Sequence, residues 1–131
     1  MRIAVISDIH SNRSALEAVL ADAGQVDETW CLGDIVGYGP QPNECIEIVR
    51  QREPRLLCIA GNHDWAALLR VDTAEFNPDA AHAALWTHEQ LTPANRAYLE
   101  GLPDRLSRDD FTLVHGTPRD PIWEYLLSAG M

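Results

Sequence analysis

"CIAGNHDWAA", residues 58–67, opens as an apolar strand, breaks at Gly61, and then delivers an amide, an imidazole and a carboxylate in succession: Asn62, His63 and Asp64. Working outward, the same device recurs. "IAVI" (3–6) is a short apolar run followed by Asp8 and His10. "TWCL" (29–32) is followed by Gly33 and Asp34, and "FTLV" (111–114) by His115. Short apolar runs bounded by turn residues predict buried strands, and "IAVI" is expected to be covered on both faces. Between them the period changes to that of helices. "SNRSALEAVLADAG" (11–24) puts Ala15, Leu16, Val19, Leu20 and Ala23 on one face, with Ser11 or Asn12 to cap it and Gly24 to end it. "PNECIEIVRQR" (42–52) carries Pro42 in its first turn.

Beyond the third strand the pattern is mostly helical. "NPDAAHAALWTHEQL" (77–91) has Asn77 as a cap and an expected inner face of Ala81, Leu85, Trp86 and Leu91. "TPANRAYLEGLP" (92–103) repeats the device with Thr92 and Gly101, and "DPIWEYLL" (120–127) reads as a last helix after a fourth strand at Phe111–Val114. Strands alternating with helices predict an α/β fold with a parallel-rich sheet flanked by helices. Asp8, His10, Asp34, Asn62, His63, Asp64 and His115 then all fall just past the C-terminal end of a strand. In a parallel sheet those ends share one edge, where open α/β folds bind ligands.

The donor types agree with one another. A lone aspartate after a strand is most often a helix cap, and a lone histidine most often a hydrogen-bonded core residue. Asp8, His10, Asp34, Asn62 and His115 in one phase are a different matter: they offer carboxylate oxygens, imidazole nitrogens and an amide oxygen. Asp8 and His10 are two apart, so an extended strand end points both the same way. Carboxylates gathered closely repel unless cations lie between them. Mixed oxygen and nitrogen donors suit divalent manganese, iron or zinc, and the lack of thiolates argues against a structural zinc site. The outline is that of a dinuclear centre with Asp34 best placed to bridge.

Composition narrows the function. The 131 residues carry a net charge of -10 and a pI near 4.7, with no basic run, which opposes binding to a nucleic-acid backbone. Hydrophobic residues make up 46%, enough for a core, yet no apolar run is long enough to cross a membrane and the start lacks the form of a signal peptide. The expectation is a cytoplasmic protein. The 3 cysteines, Cys31, Cys45 and Cys58, have no paired spacing and are expected to be buried, reduced thiols.

The ordered set "SDIHSN", "GDIVGYG", "GNHD" and "LVHGTP" resembles the calcineurin-like metallophosphoesterase superfamily. "CLGDIVGYGPQPNECIEIVR" and "HGTPRDPIWEYLL" are similar to its small bacterial and archaeal phosphodiesterase or phosphatase branch. The resemblance implies that residues 1–131 are the N-terminal portion, the first half of a four-layer α/β/β/α sandwich. It implies two divalent ions, manganese first, with iron, zinc or nickel as alternatives. Asp8 and His10 would bind one, Asn62 and His115 the other, and Asp34 both. His63 would protonate the leaving oxygen or steady the transition state, with Asp64 orienting its ring. The implied reaction is in-line attack on the phosphorus of a small phosphomono- or phosphodiester, a nucleotide included, by a metal-bridging hydroxide.

Two features depart from that family. Ser11 stands where the family has glycine, and no histidine follows His115, whereas the family adds a GHxH segment giving a histidine to each metal. These 131 residues alone are therefore expected to bind metal weakly, unless a second chain supplies the histidines; a homo-oligomer is a further possibility, and titration of manganese into the isolated chain tests the metal binding. The rival reading is a non-catalytic module that binds metal, nucleotide or a partner; a proton donor such as His63 would be superfluous there. His82 and His88 are read as surface or packing residues, Arg13 and Arg119 as solvated, and the glycines of "GDIVGYGP" as permitting a tight turn.

Overall fold

The computed structural model describes residues 1–131. Strands β1 (Ile3–Ile6), β2 (Glu28–Cys31) and β3 (Leu56–Cys58) form a parallel sheet in the order β1-β2-β3. Helices α1 (Arg13–Ala23) and α2 (Pro42–Arg50) make the two crossovers. Asn12 caps α1, its side chain accepting from the Ala15 N–H at 3.0 Å, and Gly24 closes it in a left-handed conformation with φ of 67°. After β3 come α3 (Asn62–Ala67), α4 (Pro78–Gln90) and α5 (Pro93–Glu100), the last two opened by Asn77 and Thr92 caps with proline in the first turn.

The main core lies on one face of the sheet. There Ile6, Cys31 and Cys58 meet Leu16 of α1, Ile46 and Val49 of α2 and Leu99 of α5. All three cysteines are free and buried. The opposite face carries a smaller cluster of Trp30, Ile59 and Leu113. It is covered only in part: Val5 of β1 is 56% exposed, so β1 is not buried on both faces as its apolar run led us to expect.

Three further expectations are corrected. The strand at Phe111–Val114 does not join the parallel sheet. As β5 it pairs antiparallel with β4 (Arg105–Arg108), a strand that the polar alternation of "RLSR" concealed, around a turn in which Asp109 has φ of 51°. Helix α4 buries Ala80, Ala84 and Thr87, while Leu85 and Trp86 are 48% and 41% exposed. Its close approach to α3 selects for small side chains, so size outweighs hydropathy on that face. Residues 120–127 are not helical: after a turn at 121–123 the chain is irregular, with Glu124 drawn onto Thr117 Oγ1 and the Arg119 guanidinium.

Candidate metal centre

Backbone hydrogen bonds continue past the ends of β1 and β2 and lace their loops together. Asp8 N–H donates to the Gly33 carbonyl, His10 N–H to that of Asp34 and Ser11 N–H to that of Ile35, at 2.9–3.0 Å. In this path Asp8, His10, Ser11 and Asp34 all adopt the left-handed region, with φ of 55°, 50°, 56° and 57°. Each such residue costs on the order of 1–2 kcal/mol and persists only where the surroundings hold it. Asp8 and His10 therefore meet through two left-handed residues, not through an extended strand end. The same observation explains Ser11: its position favours glycine for conformational reasons, and serine occupies it buried, with Oγ lacking a partner.

These loops bring the predicted donors together. Asp34 is at the centre, 2% exposed, with Oδ2 3.5 Å from His10 Nε2 and 3.3 Å from His115 Nε2. Asp8 Oδ1 lies 3.6 Å from His10 Nε2, and Asn62 Oδ1 3.2 Å from His115 Nε2. Ligand atoms from Asp8, Asp34 and His115 lie within 4.8 Å of one another. Each histidine is held by its other nitrogen: His10 Nδ1–H donates to the Val36 carbonyl at 3.1 Å and His115 Nδ1–H to that of Leu32 at 2.8 Å. This fixes the tautomer that leaves Nε2 facing the carboxylates, the arrangement seen in metal-ligating histidines. His115 reaches the cluster from the β4–β5 hairpin, although that hairpin is no part of the parallel sheet.

The electrostatics match a site shaped for positive charge. Burial would pull His115 down, but the hydrogen bond and charge of Asp34 outweigh it and carry the imidazole up to about 9. Burial likewise pulls His10 down, but the contact with Asp8 and the charge of Asp34 outweigh it and raise the imidazole. The His10 contact in turn holds Asp8 down at about 2. Protons on the two imidazoles thus do what a cation among the same atoms would do. On the chemistry of its donors, two carboxylates, two imidazoles and an amide oxygen, the cluster fits divalent metal.

Asp64 does not perform the role expected of it. Its carboxylate is fully buried and accepts from the backbone N–H groups of Asp34 (2.8 Å), Gly61 (2.9 Å) and Val36 (3.1 Å), not from the His63 ring. It clamps the loop after β2 to the start of α3. Burial and the nearby charge of Asp34 push its carboxyl upward against these three donors. Gly61 is required at this junction because a Cβ there would lie 2.1 Å from Asp34 Oδ1. His63, at the first turn of α3, donates its backbone N–H to Asp34 Oδ1 at 2.9 Å. Its ring stacks on Phe76 with centroids 4.5 Å apart and contacts Tyr38 and His10 at 4.9 and 5.0 Å. Burial lowers its pKa, Nδ1 is buried without a partner, and Nε2 is left as the open nitrogen.

Sequence reasoning missed Phe76, which stands alone between elements and carries no periodic signal. It understated Gly37, whose φ of 95° and absent Cβ, which would lie 2.9 Å from His63 Cβ, let the loop press against the His63 ring. The remaining residues behave as expected. Arg13 and Arg119 pair with Glu17 and Glu124 at the surface, and His88 Nδ1 packs on the Ala67 carbonyl at 2.8 Å.

An α/β fold whose strand ends collect acidic, imidazole and amide donors defines a metal-binding class of protein, and similarity to known proteins agrees. A family model described as calcineurin-like phosphoesterase matches residues 1–128. The chain belongs to that family. The uncharacterized protein MJ0912 of Methanocaldococcus jannaschii is 43% identical over 131 residues, covering 95% of this chain and 53% of that protein. A metallophosphoesterase from Sphaerobacter thermophilus of known structure superposes with a TM-score of 0.83 at 56% identity, covering 96% of this chain and 51% of that one. A symmetrical bis(5'-nucleosyl)-tetraphosphatase of Serratia proteamaculans is 33% identical over 63 residues, 46% of this chain and 22% of that protein. The chain thus spans about half the length of the first two relatives. No helix is long and apolar enough to cross a membrane.

Proposed function

We propose that the protein to which this chain belongs is a dinuclear metal-dependent phosphoesterase acting on small phosphomono- or phosphodiesters. The observation that supports it best is the position of Asp34: one carboxylate, almost wholly buried, within 3.5 Å of the Nε2 atoms of both His10 and His115. Asp8 and His10 would hold one cation, Asn62 and His115 the other, and Asp34 would contribute to both. Bound there, divalent ions supply the positive charge that polarises the phosphoryl oxygens and lowers the pKa of a water for attack on phosphorus.

The chain's own residues supply the rest. His10 and His115 present Nε2 because carbonyls hold their Nδ1 protons. Asp34 keeps its place through the His63 N–H, and the loop keeps its shape through Asp64. We assign His63 the proton given to the leaving oxygen. Asp64 is a positioning residue in this scheme, not a partner of the His63 ring. Manganese leads for the cations, with iron, zinc or nickel sharing the same donor preferences.

The full-length protein should hydrolyse bis-p-nitrophenyl phosphate or p-nitrophenyl phosphate with added manganese, and chelation should stop it. Asp34→Asn keeps the acceptor for the His63 N–H yet removes the charge. It should lower metal affinity by more than about 100-fold, beyond the usual loss for an outer-shell change. Absence of turnover of both esters with each of the four metals would overturn the reading.

A further inference from the structure

Beside the metal centre lies a cleft of about 360 Å³ in which Asn62 and His63 form one wall and Tyr38, Phe76, Trp123 and Tyr125 supply most of the rest. Its size is within the range of small-molecule sites, about 300–1,000 Å³. The rings touch in sequence: Tyr38 to His63 at 4.9 Å, His63 to Phe76 at 4.5 Å and 23° between planes, Phe76 to Trp123 at 5.8 Å. They come from three separate places, the loop after β2, the loop before α4 and the segment after β5. None of the four aromatics belongs to either core cluster, and Tyr38, Trp123 and Tyr125 are 50%, 36% and 77% exposed. Aromatic surface gathered in water beside a polar centre marks a place where a ligand is received.

The cleft and the centre share a wall, because Asn62 Oδ1 is 3.2 Å from His115 Nε2. A phosphate held at the centre would carry its substituent past the open nitrogen of His63 into the rings. No arginine lines the cleft, and Glu75 at its rim is acidic, so it is unsuited to a second phosphate group and suited to a flat, uncharged ring. We propose that this cleft stacks the nucleobase, or an equivalent aryl group, of the substrate, with Phe76 and Trp123 as the principal contacts, and so selects nucleotide-type esters over sugar phosphates. The placement of the phosphate rests on the phosphoesterase reading; the ring site itself does not.

The test uses the full-length protein with manganese and two substrates that break the same bond, 5'-AMP and ribose 5-phosphate. Their kcat/KM ratio should favour AMP by roughly 5–150-fold, the range that one base–aromatic stack contributes. The ratio should fall towards one in Phe76→Leu/Trp123→Leu and part of the way in Trp123→Leu alone. Because Phe76 also packs on His63, the ratio is the readout: a general effect on turnover cancels in it. A ratio near one in the unaltered protein, or one that survives both substitutions, overturns the proposal. If neither monoester is hydrolysed, the p-nitrophenyl esters alone judge the phosphoesterase reading and calorimetric binding decides the cleft. Tighter binding of AMP by the same factor, lost in the variants, supports it; equal affinities, or no binding of either, overturns it.

Discussion

Asp64 shows how one side chain can belong to a site without touching the chemistry. Its carboxylate satisfies the N–H groups of Gly61, Asp34 and Val36 in a place that water does not reach. Removing it strands three buried donors, each worth about 1–3 kcal/mol. Asp64→Ala should therefore destabilise the protein by about 3 kcal/mol or more in urea denaturation. A variant of unchanged stability would show that these three donors do not depend on Asp64. His115 sets the pH behaviour of the same cluster. Its imidazole is raised to about 9, so at neutral pH the metal-free site holds a proton that a cation must displace. Apparent manganese affinity should rise with pH, by up to about tenfold per unit, and level off near that value. In the metal-free protein the sign is reversed. The stabilisation from charged His115 is complete below the unfolded value of 6.5 and is lost as pH rises through about 9. Titrations followed at several pH values, with and without metal, check both.

The β4–β5 hairpin decides whether His115 is part of the site. It shares no strand ladder with the parallel sheet. Side chains dock it instead: Leu113 packs with Trp30 and Ile59, Phe111 meets Trp30 edge-on at 5.5 Å, and Arg108 pairs with Glu28. Leu113 is 4% exposed and lies two residues before His115, so it anchors that histidine. Leu113→Ala should cost about 2–4 kcal/mol from lost burial and the cavity left behind. It should also weaken manganese binding although it removes no donor atom. Denaturation and calorimetry on the same variant report both effects; stability lost with metal affinity unchanged would show the hairpin to be an independent attachment.

At the scale of the molecule, the candidate metal centre draws together segments far apart in the chain, from Asp8 to His115. Cations that bind the folded state alone should stabilise it by mass action, about 2.7 kcal/mol for one site at a hundred times its dissociation constant. Adding manganese to metal-free protein should raise Tm by roughly 5–20 °C, and chelation should reverse the shift. A Tm indifferent to metal would mean that these donors bind none. The charge of -10 works in the same direction, because cations neutralise some of the self-repulsion.

The three parallel strands, the caps of α1, α4 and α5, and the positions of the donors after strand ends were all legible in the sequence, because strand burial, capping and turn residues are local properties. Asp8, His10, Asp34, Asn62, His63 and His115 could be read for the same reason: a polar residue just after an apolar run stands out. What only the tertiary structure decided were matters of direction and distance. The left-handed turns that bring Asp8 to His10, the carboxylate of Asp64 turned onto backbone donors, the hairpin in place of a fourth parallel strand, and the rings of Phe76 and Trp123 beside His63 depend on which loops are packed together. Periodicity in a chain encodes which way a residue faces relative to its neighbours in sequence. It does not encode which backbone N–H or aromatic face a distant segment will place opposite it.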